Sequence, residues 1–71
     1  MVFRRTVEVN GIKTEIELKR TVEEFEGSFD EAVEIWKDGK YFNTVVGNIP
    51  FEDWNDSEIK RFALKTNLIN L

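Results

Sequence analysis

The chain lacks cysteine and histidine altogether and has a single proline. Without cysteine it can form neither a disulfide framework nor a thiolate metal site. Without histidine it lacks the commonest general base and the commonest metal ligand. Carboxylate pairs remain available for acid–base chemistry, but so small a domain has little room for a pocket that buries a substrate. We therefore expect a non-enzymatic protein with no metal and no cofactor.

Long hydrophobic runs are also missing. No apolar stretch approaches the length of a membrane span or of the hydrophobic region of a secretory signal, so we expect a cytoplasmic protein with no membrane partner. The 71 residues are enough for one small domain, residues 1–71. A domain of this size buries only about 60% of its unfolded surface, and a partner would add to its stability.

Negative charge is concentrated in the middle of the chain. The net charge is −4; residues 21–39 carry seven acidic side chains and one basic, whereas residues 57–71 carry three basic and one acidic. This overall acidity disfavours non-specific binding to nucleic acid. Five carboxylates lie close together in the sequence: Glu23, Glu24, Glu26, Asp30 and Glu31. Their spacing is not that of a calcium-binding EF-hand, so we expect a solvated acidic segment that attracts a basic partner.

Asn10-Gly11 is flanked by alternating apolar residues, which is typical of a β-hairpin with a two-residue type I′ turn. The turn predicts one mostly apolar face, formed by the pairs Val9–Ile12, Val7–Thr14, Arg5–Ile16 and Phe3–Leu18. The other face carries three polar pairs: Glu8–Lys13, Thr6–Glu15 and Arg4–Glu17. Two of these polar pairs bring opposite charges together across the ladder, which supports the register.

Asp38-Gly39 has the same signature and predicts a second hairpin. The predicted pairs are Trp36–Tyr41, Ile35–Phe42, Glu34–Asn43, Val33–Thr44 and Ala32–Val45. One face then carries Phe29, Val33, Ile35, Phe42, Thr44 and Val46. The other face carries Ala32, Glu34, Trp36, Tyr41, Asn43 and Val45. Both faces of this hairpin therefore have apolar content, unlike those of the first.

The segment between the two hairpins, residues 20–28, is ambiguous. Thr21 and Glu24 have the spacing of a helix capping box. The same residues can instead form strand with a bulge. We expect an irregular or bulged connection. A helix at residues 21–26 is the alternative and would give the order β-β-α-β-β-α.

The end of the chain predicts one helix. Asn55 and Glu58 have the spacing of an N-cap and its N3 partner, and the helix is expected to run to about Asn67. Its apolar stripe consists of Ile59, Phe62, Ala63, Thr66 and Ile69, with Leu64 and Leu68 outside it. Phe51 and Trp54 are expected to fasten the start of the helix to the sheet. The complete prediction is an α+β fold of order β-β-β-β-α, a four-stranded antiparallel sheet with the helix packed on one face.

The predicted function is protein binding through the aromatic sheet face that the helix leaves uncovered. The docking residues would be Ala32, Glu34, Trp36, Tyr41, Asn43 and Val45. Such a module would act as an adaptor or a small acidic inhibitor of a basic target. Two alternatives remain open: residues 21–29 fold back and make Trp36 part of the core, or the apolar face is buried in a homodimer.

The competing function is binding of single-stranded nucleic acid, with bases stacked on aromatic side chains beside basic residues. The residues for this function would be Trp36, Tyr41, Lys37, Lys40, Lys60, Arg61 and Lys65. Carboxylates in the same hairpin, among them Glu34 and Asp38, would repel phosphate. The sequence therefore favours protein binding over nucleic-acid binding.

Overall fold

The computed structural model of the protein describes residues 2–69. The elements follow the order β1 (Val2–Val9), β2 (Ile12–Phe25), β3 (Ser28–Lys37), β4 (Lys40–Val46), a 3₁₀ turn (Phe51–Asp53) and α1 (Asp56–Lys65). The four strands form one antiparallel sheet in the spatial order β1-β2-β3-β4. The predicted β-β-β-β-α fold is confirmed.

Three two-residue turns join the four strands, and each has two consecutive residues with positive φ. Asn10 and Gly11 have φ of 53° and 79°, as the Asn-Gly pattern predicts for a type I′ turn. Asp38-Gly39 repeats this geometry. The third turn, Glu26-Gly27, has φ of 50° and 82° and joins β2 to β3. The register of the first hairpin is as predicted at every pair from Phe3–Leu18 to Val9–Ile12.

The expectation for residues 21–26 is wrong in both of its forms. These residues are neither an irregular or bulged connection nor a helix, because β2 continues through them as regular strand and pairs with β3 from Thr21–Ala32 to Phe25–Ser28. Glu26-Gly27 supplies the reversal, which the sequence pattern indicates only weakly. Residues 21–29 therefore do not fold back over the sheet to cover Trp36.

The predicted register of β3 and β4 is correct only next to the turn. Trp36 pairs with Tyr41, but an extra residue on β4 then shifts the ladder, so that Asn43 lies opposite Ile35 and Val45 opposite Val33. Phe42 is the residue left without a partner, as in a β-bulge. Because directly opposed residues share a face, Asn43 and Val45 lie on the helix-covered face and not beside Trp36.

The core lies between one face of the sheet and the C-terminal part of the chain. Its buried residues are Phe3, Val7, Val9, Ile16, Leu18, Val33, Ile35, Phe51, Ile59, Ala63, Leu68 and Ile69. Phe51 is fully buried, with its ring centroid 5.5 Å from that of Phe3 in an edge-to-face arrangement. This contact fastens the segment before α1 to β1, as predicted for Phe51.

Both ends of α1 are capped. Asn55 and Glu58 form the predicted capping box, since the Asn55 side chain accepts from the Glu58 backbone N–H and the Glu58 carboxylate accepts from the Asn55 N–H. The helix ends at Lys65, earlier than predicted. Asn67 has φ of 62°, and the Leu68 N–H donates to the Ala63 carbonyl across it, which is a Schellman motif. This turn carries Leu68 back into the core, where it is fully buried.

Candidate functional site

The ends of β2 and β3 form a two-stranded ribbon, residues 22–31, that projects from the body of the protein. All ten residues are exposed. The molecule measures 44 × 22 × 19 Å along its principal axes, in keeping with such a projection. Three large apolar side chains of the ribbon are mostly in solvent: Val22 is 58% exposed, Phe25 71% and Phe29 70%. An isolated two-stranded hairpin is marginally stable in water, so this ribbon gains little from its own contacts.

The apolar side chains lie on both faces of the ribbon. Leu18 and Ile35 are paired and point into the core, so the alternation of β2 and β3 puts Val22 and Phe29 on the same side as α1. Glu24 and Glu31 are their cross-strand partners on this face. Phe25 lies on the opposite face, the open face of the sheet.

The ribbon carries only negative charge. Its five carboxylates are those predicted to attract a basic partner: Glu23, Glu24, Glu26, Asp30 and Glu31. Glu23 and Asp30 are directly opposed in the ladder, an arrangement that destabilises a β-ribbon. Within residues 2–69, the ion pairs formed by the protein do not include any of these five side chains. A positively charged surface would relieve this repulsion.

Arg20 marks the base of the ribbon. Its guanidinium donates two hydrogen bonds to the Glu52 carboxylate, at 2.7 and 2.6 Å, and one to the Ile49 carbonyl at 2.7 Å. It also lies over the Phe51 ring, 4.6 Å from the centroid. The hydrogen bond from Arg20 is the main cause that lowers the pKa of Glu52, and Glu52 in turn raises the pKa of Arg20. Arg20 thus ties the strand pair to the 3₁₀ turn, and the Gly47 N–H donates to the Glu31 carbonyl at 2.7 Å. The ribbon projects beyond these two contacts.

On the open face of the sheet, the side chains around Trp36 contact one another. The Trp36 indole N–H donates to a Glu34 carboxylate oxygen at 3.0 Å, and the Lys19 ammonium lies 4.0 Å from the ring centroid. Tyr41 packs edge-to-face on Trp36 at 5.9 Å, and its hydroxyl is hydrogen-bonded to that of Thr44 at 2.6 Å. The polar and aromatic groups around Trp36 therefore already have partners within the protein.

An ionic network continues the open face toward β1. Glu17 lies 3.1 Å from the Lys19 ammonium and 3.0 Å from the Arg4 guanidinium. Hydrogen bonds from Lys19, and then from Arg4, lower the pKa of Glu17. Arg4–Glu17 is one of the cross-strand charge pairs predicted from the first hairpin.

The six predicted docking residues do not form one surface. Four of them share the open face, namely Ala32, Glu34, Trp36 and Tyr41. Ala32 is buried, Glu34 and Trp36 are half-buried, and Tyr41 is 55% exposed. Asn43 and Val45 lie on the other face because of the bulge at Phe42. The sequence reasoning did not select Val22, Phe25 and Phe29, although Glu-Gly between apolar residues was a weak signal for the turn that exposes them.

The residues predicted for nucleic-acid binding are divided between the two sides of the sheet. Lys37 and Lys40 flank the Asp38-Gly39 turn, beside the aromatic pair. The other three basic side chains belong to α1, on the covered side: Lys60, Arg61 and Lys65. The aromatic pair and the basic helix therefore do not combine into one binding surface.

A second apolar surface lies between α1 and β4. This groove is lined by the half-buried side chains of Val45, Ile49, Trp54 and Phe62 and has a volume of about 340 Å³. The Trp54 and Phe62 rings form its wall, with centroids 5.0 Å apart. Lys65 is the charged residue that lines it, and Arg61 and Glu58 line an adjoining cleft that shares Trp54, Phe62 and Lys65 with the groove. The sequence did not predict the groove, because the predicted register placed Val45 on the opposite face.

Among residues 2–69 no three acidic side chains come together in a way that could hold a metal ion. In the same range, α1 is too short and too polar to cross a membrane, and no other helix could do so.

The chain was also compared with known proteins. No protein-family model, no curated protein and no solved structure matches it.

Proposed function

We propose that the protein is a non-enzymatic protein-binding module of the cytoplasm and that the ribbon is its docking element. One observation carries the proposal: Phe25 and Phe29 are 71% and 70% exposed on a projecting part of the fold that contributes nothing to the core. Aromatic side chains are favoured anchors at the centres of protein interfaces. Complete burial of one such side chain contributes about 1.5–3 kcal/mol relative to leaving it in water.

The charge of the ribbon supports a partner with a basic surface. Five carboxylates surround the two phenylalanines, with no basic side chain among residues 22–31. Complementary charge speeds encounter and rejects acidic competitors, while the aromatic anchors supply affinity. An adaptor or an inhibitor of a basic target would use the ribbon in this way.

Binding of single-stranded nucleic acid has less support. A base can stack only on an aromatic face that is free. Lys19 already lies over the Trp36 ring, and Tyr41 contacts it with an edge-to-face geometry. The basic residues of α1 lie on the other side of the sheet from this pair.

Site-specific photo-crosslinking tests the protein-binding function. A photoreactive phenylalanine at position 25, in the cells that produce the protein, should give a discrete adduct with a partner. Position 12 is the matched control, because Ile12 is 69% exposed at a different turn. With the partner purified, Phe25→Ala should weaken binding at least about tenfold, the equivalent of roughly 1.4 kcal/mol, and Ile12→Ala should not. The same adducts at positions 12 and 25, or none at either, would contradict the proposal.

A further inference from the structure

We propose that the α1-side face of the ribbon binds the groove between α1 and β4 of a second copy of this chain. The inference rests on the proposed function, since it assumes that the ribbon is a docking element. It names the occupant of one ribbon face, formed by Val22, Phe29, Glu24 and Glu31. The Phe25 face remains available to a different protein.

The groove has the size and lining that Phe29 needs. Its volume is about 340 Å³, and a cavity of about 150 Å³ already admits benzene. Its apolar lining comes from Val45, Ile49, Trp54 and Phe62, all of them half-buried. A phenyl ring placed there would contact the Trp54–Phe62 pair, and aromatic pairs are worth more than their buried area alone.

The charges at the two surfaces are complementary. Glu24 is the cross-strand partner of Phe29, and Glu31 is that of Val22, so both apolar side chains have a carboxylate beside them. Lys65 lines the groove, and Arg61 lines the adjoining cleft. The cleft also has one carboxylate, that of Glu58, which accepts a hydrogen bond from the Asn55 N–H, so basic side chains outnumber acidic ones there. The apolar side chains of the ribbon face would therefore meet the apolar lining of the groove, and its carboxylates would meet basic side chains.

Contact between two ribbons is a poorer arrangement. Each ribbon carries five carboxylates and no basic side chain, so two ribbons side by side would repel each other strongly. The ribbon therefore requires a basic surface on the second copy. The groove combines basic side chains with the half-buried rings of Trp54 and Phe62.

Sedimentation velocity tests the contact with variants that leave the core intact. Phe29→Ser should abolish association, and Phe25→Ser is its matched control, because it has the same residue type and exposure on the opposite ribbon face. Arg61→Glu combined with Lys65→Glu should abolish association from the groove side. Lys60→Glu is the control on the same helix, since Lys60 does not line the groove. Circular dichroism of each variant establishes that it is folded.

The expected result is a mass that rises with concentration for the wild type and both controls, measured up to about 1 mM because one such contact is small. Each of the two disrupting variants should remain at 8.4 kDa. Their mixture should form a 1:1 complex, since one supplies an intact groove and the other an intact ribbon.

Three results would overturn the contact: a wild type that stays at 8.4 kDa, disrupting variants that associate as the wild type does, or no complex in the mixture. A monomeric wild type whose position 25 still crosslinks to a different protein overturns self-association alone. Loss of that crosslink overturns the proposed function.

Discussion

The substitution Phe51→Ala should remove a large part of the stability of this protein. Phe51 is fully buried, packs edge-to-face on Phe3 and lies beneath the Arg20 guanidinium. Replacing a buried phenylalanine by alanine costs about 3–5 kcal/mol. A domain of 71 residues has a free energy of unfolding of about 4–11 kcal/mol. At about 4–8 °C per kcal/mol, the melting temperature should fall by about 12–40 °C.

Urea unfolding followed by far-ultraviolet circular dichroism measures this loss as a change in the free energy of unfolding. Phe29→Ala is the matched control, because it makes the same chemical change at a side chain that is 70% exposed, and it should cost no more than about 0.5 kcal/mol. A cost below about 1 kcal/mol for Phe51→Ala would refute the reasoning that the 3₁₀ turn is packed into the core. An equal cost for the two substitutions would refute the free projection of the ribbon.

Three further predictions concern pH, the ribbon turn and nucleic acid. The pKa values of Glu17 and Glu52 are lowered in the folded protein, so their contribution to stability is complete above their ordinary pKa of 4.5 and is lost as the pH falls through the lowered values. The double variant Glu17→Gln/Glu52→Gln should have a lower melting temperature at pH 7, and its melting temperature should decrease less than that of the wild type as the pH is lowered. The same decrease in both proteins would contradict this. Gly27 has φ of 82° with open space around it, so Gly27→Ala should destabilise the fold by about 1 kcal/mol through backbone strain alone. Glu26→Asn should stabilise it in the same urea assay, because asparagine adopts positive φ more readily than glutamate. Titration with single-stranded oligonucleotide at low salt should leave the tryptophan fluorescence unchanged, and a quench that added salt reverses would restore the nucleic-acid hypothesis.

The parts of the fold that the sequence predicts are those where several local signals agree. Three signals in the first hairpin require the same register. They are the Asn10-Gly11 turn, the alternation of apolar residues and the opposed charges such as Arg4–Glu17. The capping box of Asn55 and Glu58 likewise defines the start of α1 through two reciprocal hydrogen bonds. Each of these features is determined by residues close in sequence.

The ribbon was not predictable because no burial pattern marks it. Both of its faces are exposed, so apolar and acidic side chains occur on each, and the period of two that identifies a half-buried strand is lost. Glutamate is also a rare residue at the first position of a type I′ turn, where Glu26 has φ of 50°. The residues that we propose for binding are therefore those with the weakest structural signal.

Two further predictions were wrong: the register of β3 and β4, and the end of α1. Tyr41 and Phe42 are both aromatic, so the alternation of apolar and polar residues along β4 does not show which of them lies on which face. The position of the bulge could therefore not be predicted. Leu68 falls outside the helical stripe because the chain is no longer helical there. The positive φ of Asn67 reverses its direction and returns Leu68 to the core.

Arg20 connects the two surfaces proposed for binding. Its side chain holds the base of the ribbon to the Ile49 carbonyl, and the Ile49 side chain lines the groove. The ladder between β3 and β4 makes a second connection, because β3 runs from the ribbon to Val33 and Val33 pairs with Val45, which also lines the groove. The two surfaces proposed for binding are therefore neighbouring parts of one continuous sheet.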